Sequence, residues 1–249
     1  MLEVRSVGKR FGGLQAIQDA SFTVEKGSIT GLIGPNGAGK TTLFSIVSGS
    51  FSPTTGQVFF EGQDITGFPA HVLARRGIGR TFQIVKPFAG LSIIENVTVG
   101  AFLRHHNRSK AEKVARDVAR RVGLTGDLDR PASDLTVAGR KRLEVAKALA
   151  TEPRLLLLDE VLAGLNPSEI RDIIPVIRAL RDDGVTILMI EHVMQAVVSL
   201  CDRVHVLAQG RIVAAGTPAE VVADPAVIEA YLGQGAAARL NPVRSAAHA

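Results

Sequence analysis

Nine consecutive residues, Gly34-Pro35-Asn36-Gly37-Ala38-Gly39-Lys40-Thr41-Thr42, combine a pliable backbone with one cation and two hydroxyls. Glycines let such a segment curl so that several N–H groups point at one phosphate. Lys40 can reach the outer phosphates as a point charge, and the Thr41 hydroxyl can coordinate Mg²⁺. A second segment, Leu155-Leu156-Leu157-Leu158-Asp159-Glu160, is an apolar run that ends in two carboxylates. Alone it reads equally well as a buried strand meeting solvent. Beside a phosphate loop it gains a role: Asp159 would hold Mg²⁺ through water, and Glu160 would polarise an attacking water as general base.

Both segments need elements that aim them. Ile29–Ile33 reads as the strand before the loop, and Leu43, Ile46 and Val47 form the apolar face of a helix after it. The positive end of that helix would point at the same anion as the loop, and this strand–loop–helix context is what the motif requires to bind nucleotide. In a doubly wound sheet, ligands collect at the carboxyl ends of strands, where Asp159 and Glu160 would stand. From Ile29 onward short apolar runs alternate with helix-like segments, which predicts an α/β protein with a largely parallel sheet. Leu2–Val4, Ala20–Val24 and Val58–Phe60 instead read as antiparallel strands. Ala70 to Leu149 reads as mostly helical, with a capping box at Ser109-Lys110-Ala111-Glu112 followed by the stripe Val114, Val118, Val122. Val204–Leu207, Gln209-Gly210 and Arg211–Ala214 predict a hairpin. The tail after Leu232, which includes Arg239 and Arg244, reads as mobile.

The chain has 249 residues, of which 46% are hydrophobic and 21% charged, enough apolar material for a substantial core and too much for a disordered chain. No apolar run approaches the ~18–20 residues needed to span a bilayer, and the first residues lack a basic-then-apolar signal pattern. The reading is a cytosolic protein whose membrane role, if it has one, requires a partner. The single cysteine, Cys201, excludes an internal disulfide and a cysteine-built zinc site. A net charge of +5 permits an acidic partner without demanding one.

Taken together, these residues resemble the ATPase subunit of an ABC transporter over nearly the whole chain. The resemblance implies a P-loop NTPase core with an antiparallel β subdomain and a helical subdomain. It implies one domain over residues 1–232, with the helical subdomain at approximately 84–149 and a flexible tail at 233–249. It implies ATP and Mg²⁺ as ligands. By the same resemblance, Phe11 is the ring that stacks on adenine. Gln83 touches Mg²⁺ together with Thr41 and Asp159, and reports to the membrane subunit. His192 contacts the γ-phosphate, and Ala163-Gly164-Leu165-Asn166 crosses a dimer interface. Phe11–Ala16, Gly31–Asn36, Gly77–Gln83 and the closing Ile228-Glu229-Ala230-Tyr231-Leu232-Gly233 are similar to one of the paired ATPases of branched-chain amino acid importers.

The sequence departs from the family most at the signature segment, which in the family begins Leu-Ser-Gly-Gly-Gln. Here Leu135 is followed by Thr136, Val137, Ala138 and Gly139. In the family this segment opens a helix whose N–H groups face the γ-phosphate held by the other subunit. Side chains at Val137 and Ala138 bring bulk to that approach. The usual proline after the catalytic glutamate is Val161, and the usual aspartate of the crossing loop is Asn166. The resemblance therefore favours a heterodimer with a second ATPase over a homodimer. The implied partners are integral permease subunits and, indirectly, a periplasmic or extracellular substrate-binding protein, placing the chain peripherally at the cytoplasmic face of the inner membrane.

Two competing classes are weaker. A soluble ABC ATPase acting on nucleic acid or ribosomes would usually carry two cassettes or long coiled-coil arms, and sustained heptads are missing here. A nucleotide-binding module without hydrolysis would not need Lys40, Asp159, Glu160 and His192 together. The seven Lys/Arg of Arg104–Arg121 read as the solvated face of an amphipathic helix. The adjacent His105-His106 cannot share one helix face, so metal binding there is not expected.

Overall fold

The computed structural model describes residues 1–84, 86–88 and 90–232; the expected tail at 233–249 lies outside them. The chain opens with a hairpin, β1 (Leu2–Phe11) and β2 (Leu14–Val24), then enters the core through β3 (Ile29–Ile33) and α1 (Lys40–Val47). It returns through β4 (Thr55–Phe60) and the short β5 (Gln63–Asp64), then runs through α2 (Ala70–Arg75) and β6 (Ile78–Arg80). Three helices follow, α3 (Ile93–Ala101), α4 (Arg108–Arg121) and α5 (Val137–Leu149). Strand–helix alternation resumes with β7 (Leu155–Asp159), α6 (Pro167–Asp182), β8 (Thr186–Ile190) and α7 (Met194–Leu200). The hairpin β9 (Arg203–Ala208) and β10 (Arg211–Gly216) leads into α8 (Pro218–Ala223) and α9 (Pro225–Leu232).

All ten strands join in the order β5-β4-β1-β2-β10-β9-β3-β8-β7-β6. The segment β9-β3-β8-β7-β6 is parallel, and β5-β4-β1-β2 is antiparallel. The two parts meet where β10 pairs with β2 through Arg211 and Asp19. Every residue of β3, β7 and β8 is buried, as expected of central parallel strands covered on both faces. Their side chains alternate between two cores. Ile29, Leu156, Leu158, Ile187 and Met189 face the layer of α3–α7. Leu32, Leu155, Leu157, Leu188 and Ile190 face α1 and the antiparallel arm. Each fully buried leucine or isoleucine contributes ~1.5–3 kcal/mol relative to exposure, so these strand ends are rigid platforms for whatever follows them.

Two expectations need correction. Within the span read as helical, Ile78–Arg80 is an edge strand paired parallel with β7. Only one of its three residues is a large apolar one, so periodicity could not reveal it. The helix start expected at Ser109 lies earlier: Asn107 caps α4 by accepting from the Lys110 N–H at 3.1 Å. An amide oxygen two residues upstream thus takes the role assigned to the Ser109 hydroxyl. Val118 and Val122 of the expected stripe are buried, joined by Ala111, Ala115 and Ala119. Three arginines of α4 are paired with acids, Arg116 with Glu112 and Asp129, Arg120 with Asp117, and Arg121 with Asp183.

Candidate functional site

The loop between β3 and α1 is shaped by contacts that admit no side chain at its ends. Gly34 has φ 150°, and a Cβ there would strike the Leu207 carbonyl of β9. Gly39 has φ 104°, and its Cβ would meet the Ala16 carbonyl at 2.7 Å. The turn at Gln209 and Gly210 has positive φ at both residues, as a tight hairpin with this twist requires. Its Gly210 N–H donates to the Ala38 carbonyl at 3.1 Å, so the hairpin braces the loop from outside. Helix α1 starts on Gly39 with no side-chain cap, leaving its first N–H groups available to an anion.

This loop forms one wall of a cleft of about 1150 Å³, lined by Asn36–Thr42 together with Gln83, Glu160 and His192. Residues 14–16 and 18 of β2 and the Gln209-Gly210 turn complete the lining. Lys40 is nearly buried, and its Nζ donates to the carbonyls of Gly34 at 2.8 Å and Pro35 at 3.0 Å. Burial pushes its pKa below the usual lysine value, while Glu160 and Asp159 pull it back up. Two carbonyls of the loop thus satisfy this buried ammonium.

Opposite the loop, three side chains converge. Gln83 Nε2 donates to Glu160 Oε2 at 2.6 Å, and His192 Nε2 lies 2.9 Å from Glu160 Oε1. Glu160 follows β7 directly, and its backbone has φ 49°, a left-handed conformation unfavourable for a residue with a Cβ. Its N–H donates to the Ile190 carbonyl at the end of β8, at 3.0 Å. A carboxylate held between an amide and an imidazole at the mouth of a phosphate-binding loop is suited to accept a proton from water.

Asp159 lies behind this cluster and is 1% exposed. Its Oδ2 accepts from Arg80 Nη2 at 2.9 Å, while Oδ1 has no partner. Burial raises its pKa, opposed by the Arg80 guanidinium. Arg80 also donates from Nη1 to the hydroxyls of Ser45 at 3.1 Å and Ser48 at 2.9 Å, tying Asp159 to α1. Thr81 Oγ1 accepts from the Asp159 N–H at 2.9 Å. A partnerless carboxylate oxygen and the Thr41 hydroxyl at the start of α1 are hard oxygen donors and fit Mg²⁺. Among the described residues no group of three or more His, Cys, Asp or Glu could hold a metal.

Some expected site residues lie elsewhere. Phe11 is not part of the cleft lining; it packs edge-on against Phe51 at 5.3 Å, with Lys9 Nζ 5.0 Å from its ring centre. Thr136–Gly139 also lie outside the cleft. Thr136 caps α5 by accepting from the Gly139 N–H at 3.2 Å, and Val137 is 56% exposed. A Cβ at Gly139 would come within 2.9 Å of Leu135 Cδ2, the tip of a side chain that can shift to admit it. Asn166 caps α6, accepting from the N–H groups of Ser168 and Glu169, while Glu169 accepts from the Asn166 N–H. The side-chain oxygen is enough for this cap, without the charge of an aspartate.

Three residues that the sequence reading passed over are built into the site. Arg80 anchors Asp159, as described. Glu191, 1% exposed, accepts from the Leu162 N–H at 3.0 Å and from the His192 N–H, linking the chain just after Glu160 to the histidine. Its burial raises its pKa to about 7. Lys141 of α5 reaches the main chain of both Gln83 and Glu160. Sequence periodicity cannot flag these, because a charged residue at a helix or strand position reads by default as solvated.

Comparison with known proteins bears on this arrangement. A family profile described as ABC transporter matches residues 17–163, and one described as branched-chain amino acid ATP-binding cassette transporter matches residues 211–237. The chain is 40% identical to the high-affinity branched-chain amino acid transport ATP-binding protein BraF of Pseudomonas aeruginosa, over 94% of this chain and 98% of BraF. It is 39% identical to LivG of Escherichia coli, with the same two coverages. It is also 35% identical to LptB of Escherichia coli, a lipopolysaccharide export ATP-binding protein, over 94% of this chain and 97% of LptB. A nucleotide-free ATP-binding cassette from an ABC transporter superimposes with TM-score 0.86 at 31% identity, covering 94% of this chain and 99% of the other. The ADP conformation of the cassette MJ1267 gives 0.85 at 31% identity, with the same coverages.

Proposed function

Because the chain belongs to the ABC transporter family of ATP-binding subunits, we propose that it couples ATP hydrolysis to the import of branched-chain or related amino acids. The observation that carries the ATPase reading is the convergence of Gln83, Glu160 and His192 opposite the phosphate loop. The importer reading is supported by BraF and LivG and by the branched-chain profile over residues 211–237. LptB, at lower identity, belongs to an export system and is less favoured. A soluble nucleic-acid or ribosome factor finds no support among these relatives.

In this reading the N–H groups of residues 36–42 and the start of α1 receive the ATP phosphates. Lys40 exchanges the carbonyls of Gly34 and Pro35 for phosphate oxygens. Phe11, outside the cleft lining and 40% exposed, is the adenine platform, its ring turning from Phe51 to the base. Thr41, Asp159 and Gln83 would hold Mg²⁺, which would supply neutralisation of phosphate charge. With His192 turned to the γ-phosphate and Gln83 drawn off its carboxylate, both oxygens of Glu160 would be free to face water. Glu160 takes the proton as the water oxygen attacks phosphorus and ADP leaves.

The partners follow from what remains exposed. Phe82, Phe88 and Val99 line a groove between the α3/α5 pair and the core, with Arg80, Glu144 and Lys147. Those three apolar side chains are all more than 40% exposed. Among the described residues no helix is long and apolar enough to cross a membrane. We assign the groove to a segment of integral permease subunits, which would place the chain at the cytoplasmic face of the inner membrane and in indirect contact with a substrate-binding protein. In vesicles containing this chain with its cognate permease and partner ATPase, ATP is expected to drive uptake of radiolabelled leucine, isoleucine or valine. Transport of none of these would refute the substrate assignment.

The segment Thr136–Gly139 would face ATP held by a second ATPase subunit. Exposed Val137 adds bulk at that approach, while the Thr136 cap keeps the helix end intact. We therefore favour a heterodimer with unequal sites. The site built on this chain's phosphate loop is expected to turn over faster than the site using Thr136–Gly139. Single-turnover rates for each site, isolated by the corresponding loop-lysine variant, decide this, and equal rates would make Val137 and Ala138 a tolerated variation.

A further inference from the structure

Glu160 stands in a left-handed backbone conformation that its own side chain disfavours, so something outside the strand must hold it there. Its N–H is fixed to β8, but its carbonyl points the other way, toward α5. There Lys141, 7% exposed, donates from Nζ to the Glu160 carbonyl at 3.0 Å and to the Gln83 carbonyl at 3.2 Å. A buried ammonium needs strong acceptors, and carbonyl oxygens in a poorly solvated pocket supply them. The same ammonium lies near enough to Asp159 and Glu191 to favour their charged forms. Lys141 also stands on the helix that begins at Thr136.

We propose that Lys141 is a positioning residue for hydrolysis, pinning the backbone of Glu160 and the loop of Gln83 to the helix that carries Thr136–Gly139. The proposal rests on the ATPase reading of Glu160 given above. Lys141 is not among the residues that line the cleft; it acts by aiming Gln83 and Glu160, which are. Through it, a shift of α5 on engagement of a partner's ATP moves the catalytic pair of this chain's own site. A purely structural lysine would stabilise the fold without setting the catalytic geometry.

The test compares Lys141→Met and Lys141→Arg in the full-length chain within its ATPase complex, each with and without Glu160→Gln. Lys141→Met is expected to lower kcat for ATP by ~10–100-fold, the scale of a misplaced catalytic group. ATP affinity, set by the phosphate loop, should stay within about twofold. Lys141→Arg, which can still donate to both carbonyls, should recover most of the rate. In the Glu160→Gln background the methionine variant should cost less than about threefold more, because the group it misplaces is already disabled. Should Lys141→Met fold poorly, Lys141→Gln, which keeps one donor, carries the same comparison. A kcat within about threefold of wild type, equal losses in affinity and kcat, or additive losses in the double variant would each overturn the proposal. If instead Glu160→Gln itself hydrolyses at the wild-type rate, the ATPase reading of Glu160 fails and not merely the role of Lys141.

Discussion

Glu160→Gln is expected to leave ATP binding intact and to slow hydrolysis by ~10²–10⁴-fold, the span associated with a positioned general base. The amide is nearly isosteric with the carboxylate, so the left-handed turn and the contact with His192 can survive. What it loses is the capacity to accept the proton of an attacking water. Placed with its carbonyl toward Gln83 Nε2 and its NH₂ toward His192 Nε2, the new amide can keep both contacts. Single-turnover hydrolysis with the cognate partner is the measurement, with ATP affinity measured in parallel. A loss smaller than about tenfold would assign the proton to another acceptor.

Lys40→Ala should act on the other side of the reaction, removing tight ATP binding altogether. The backbone N–H groups of the loop and α1 carry only partial charge, about half an elementary charge at a helix end. They compensate a triphosphate incompletely without the ammonium. The substitution also strips the carbonyls of Gly34 and Pro35 of their donor, so the loop loses its internal partner. Calorimetric titration with ATP in Mg²⁺ reads the result. Unchanged affinity would mean that this loop does not hold the phosphates. The two variants separate binding from chemistry: one should bind without turning over, the other should scarcely bind.

Much of this was legible before any coordinates. The phosphate loop announces itself through glycines whose side-chain-free positions prove sterically necessary, as at Gly34 and Gly39. The leucine run of β7 and the Gln209-Gly210 turn were readable because strand burial and tight turns leave marks in consecutive residues. Strand β6 was hidden, since an edge strand of Ile78, Gly79 and Arg80 carries almost no pattern. The start of α4 was misplaced because a serine and an asparagine two residues apart offer equivalent cap oxygens, and only backbone geometry chooses between them. Arg80, Lys141 and Glu191 were invisible for a deeper reason. Their partners, Asp159, the Glu160 carbonyl and the Leu162 N–H, are brought to them by tertiary folding, and no spacing rule records that.

The alternation of β7 between the two cores makes the strand a parity device. Leu156 and Leu158 serve one core and Leu155 and Leu157 the other, and the count ends with Asp159 against Arg80. Loss of a single leucine would shift every later residue by one slot and exchange the two faces. Asp159 would then occupy the slot of Leu158, facing the helical core, and Glu160 would arrive opposite Arg80. Val161 would be left at the cleft. Exchanging one aliphatic residue for another along this strand leaves the phase untouched. The segment should therefore drift freely in composition over evolution while its length stays locked, with the two carboxylates acting as the stop at the end of the count.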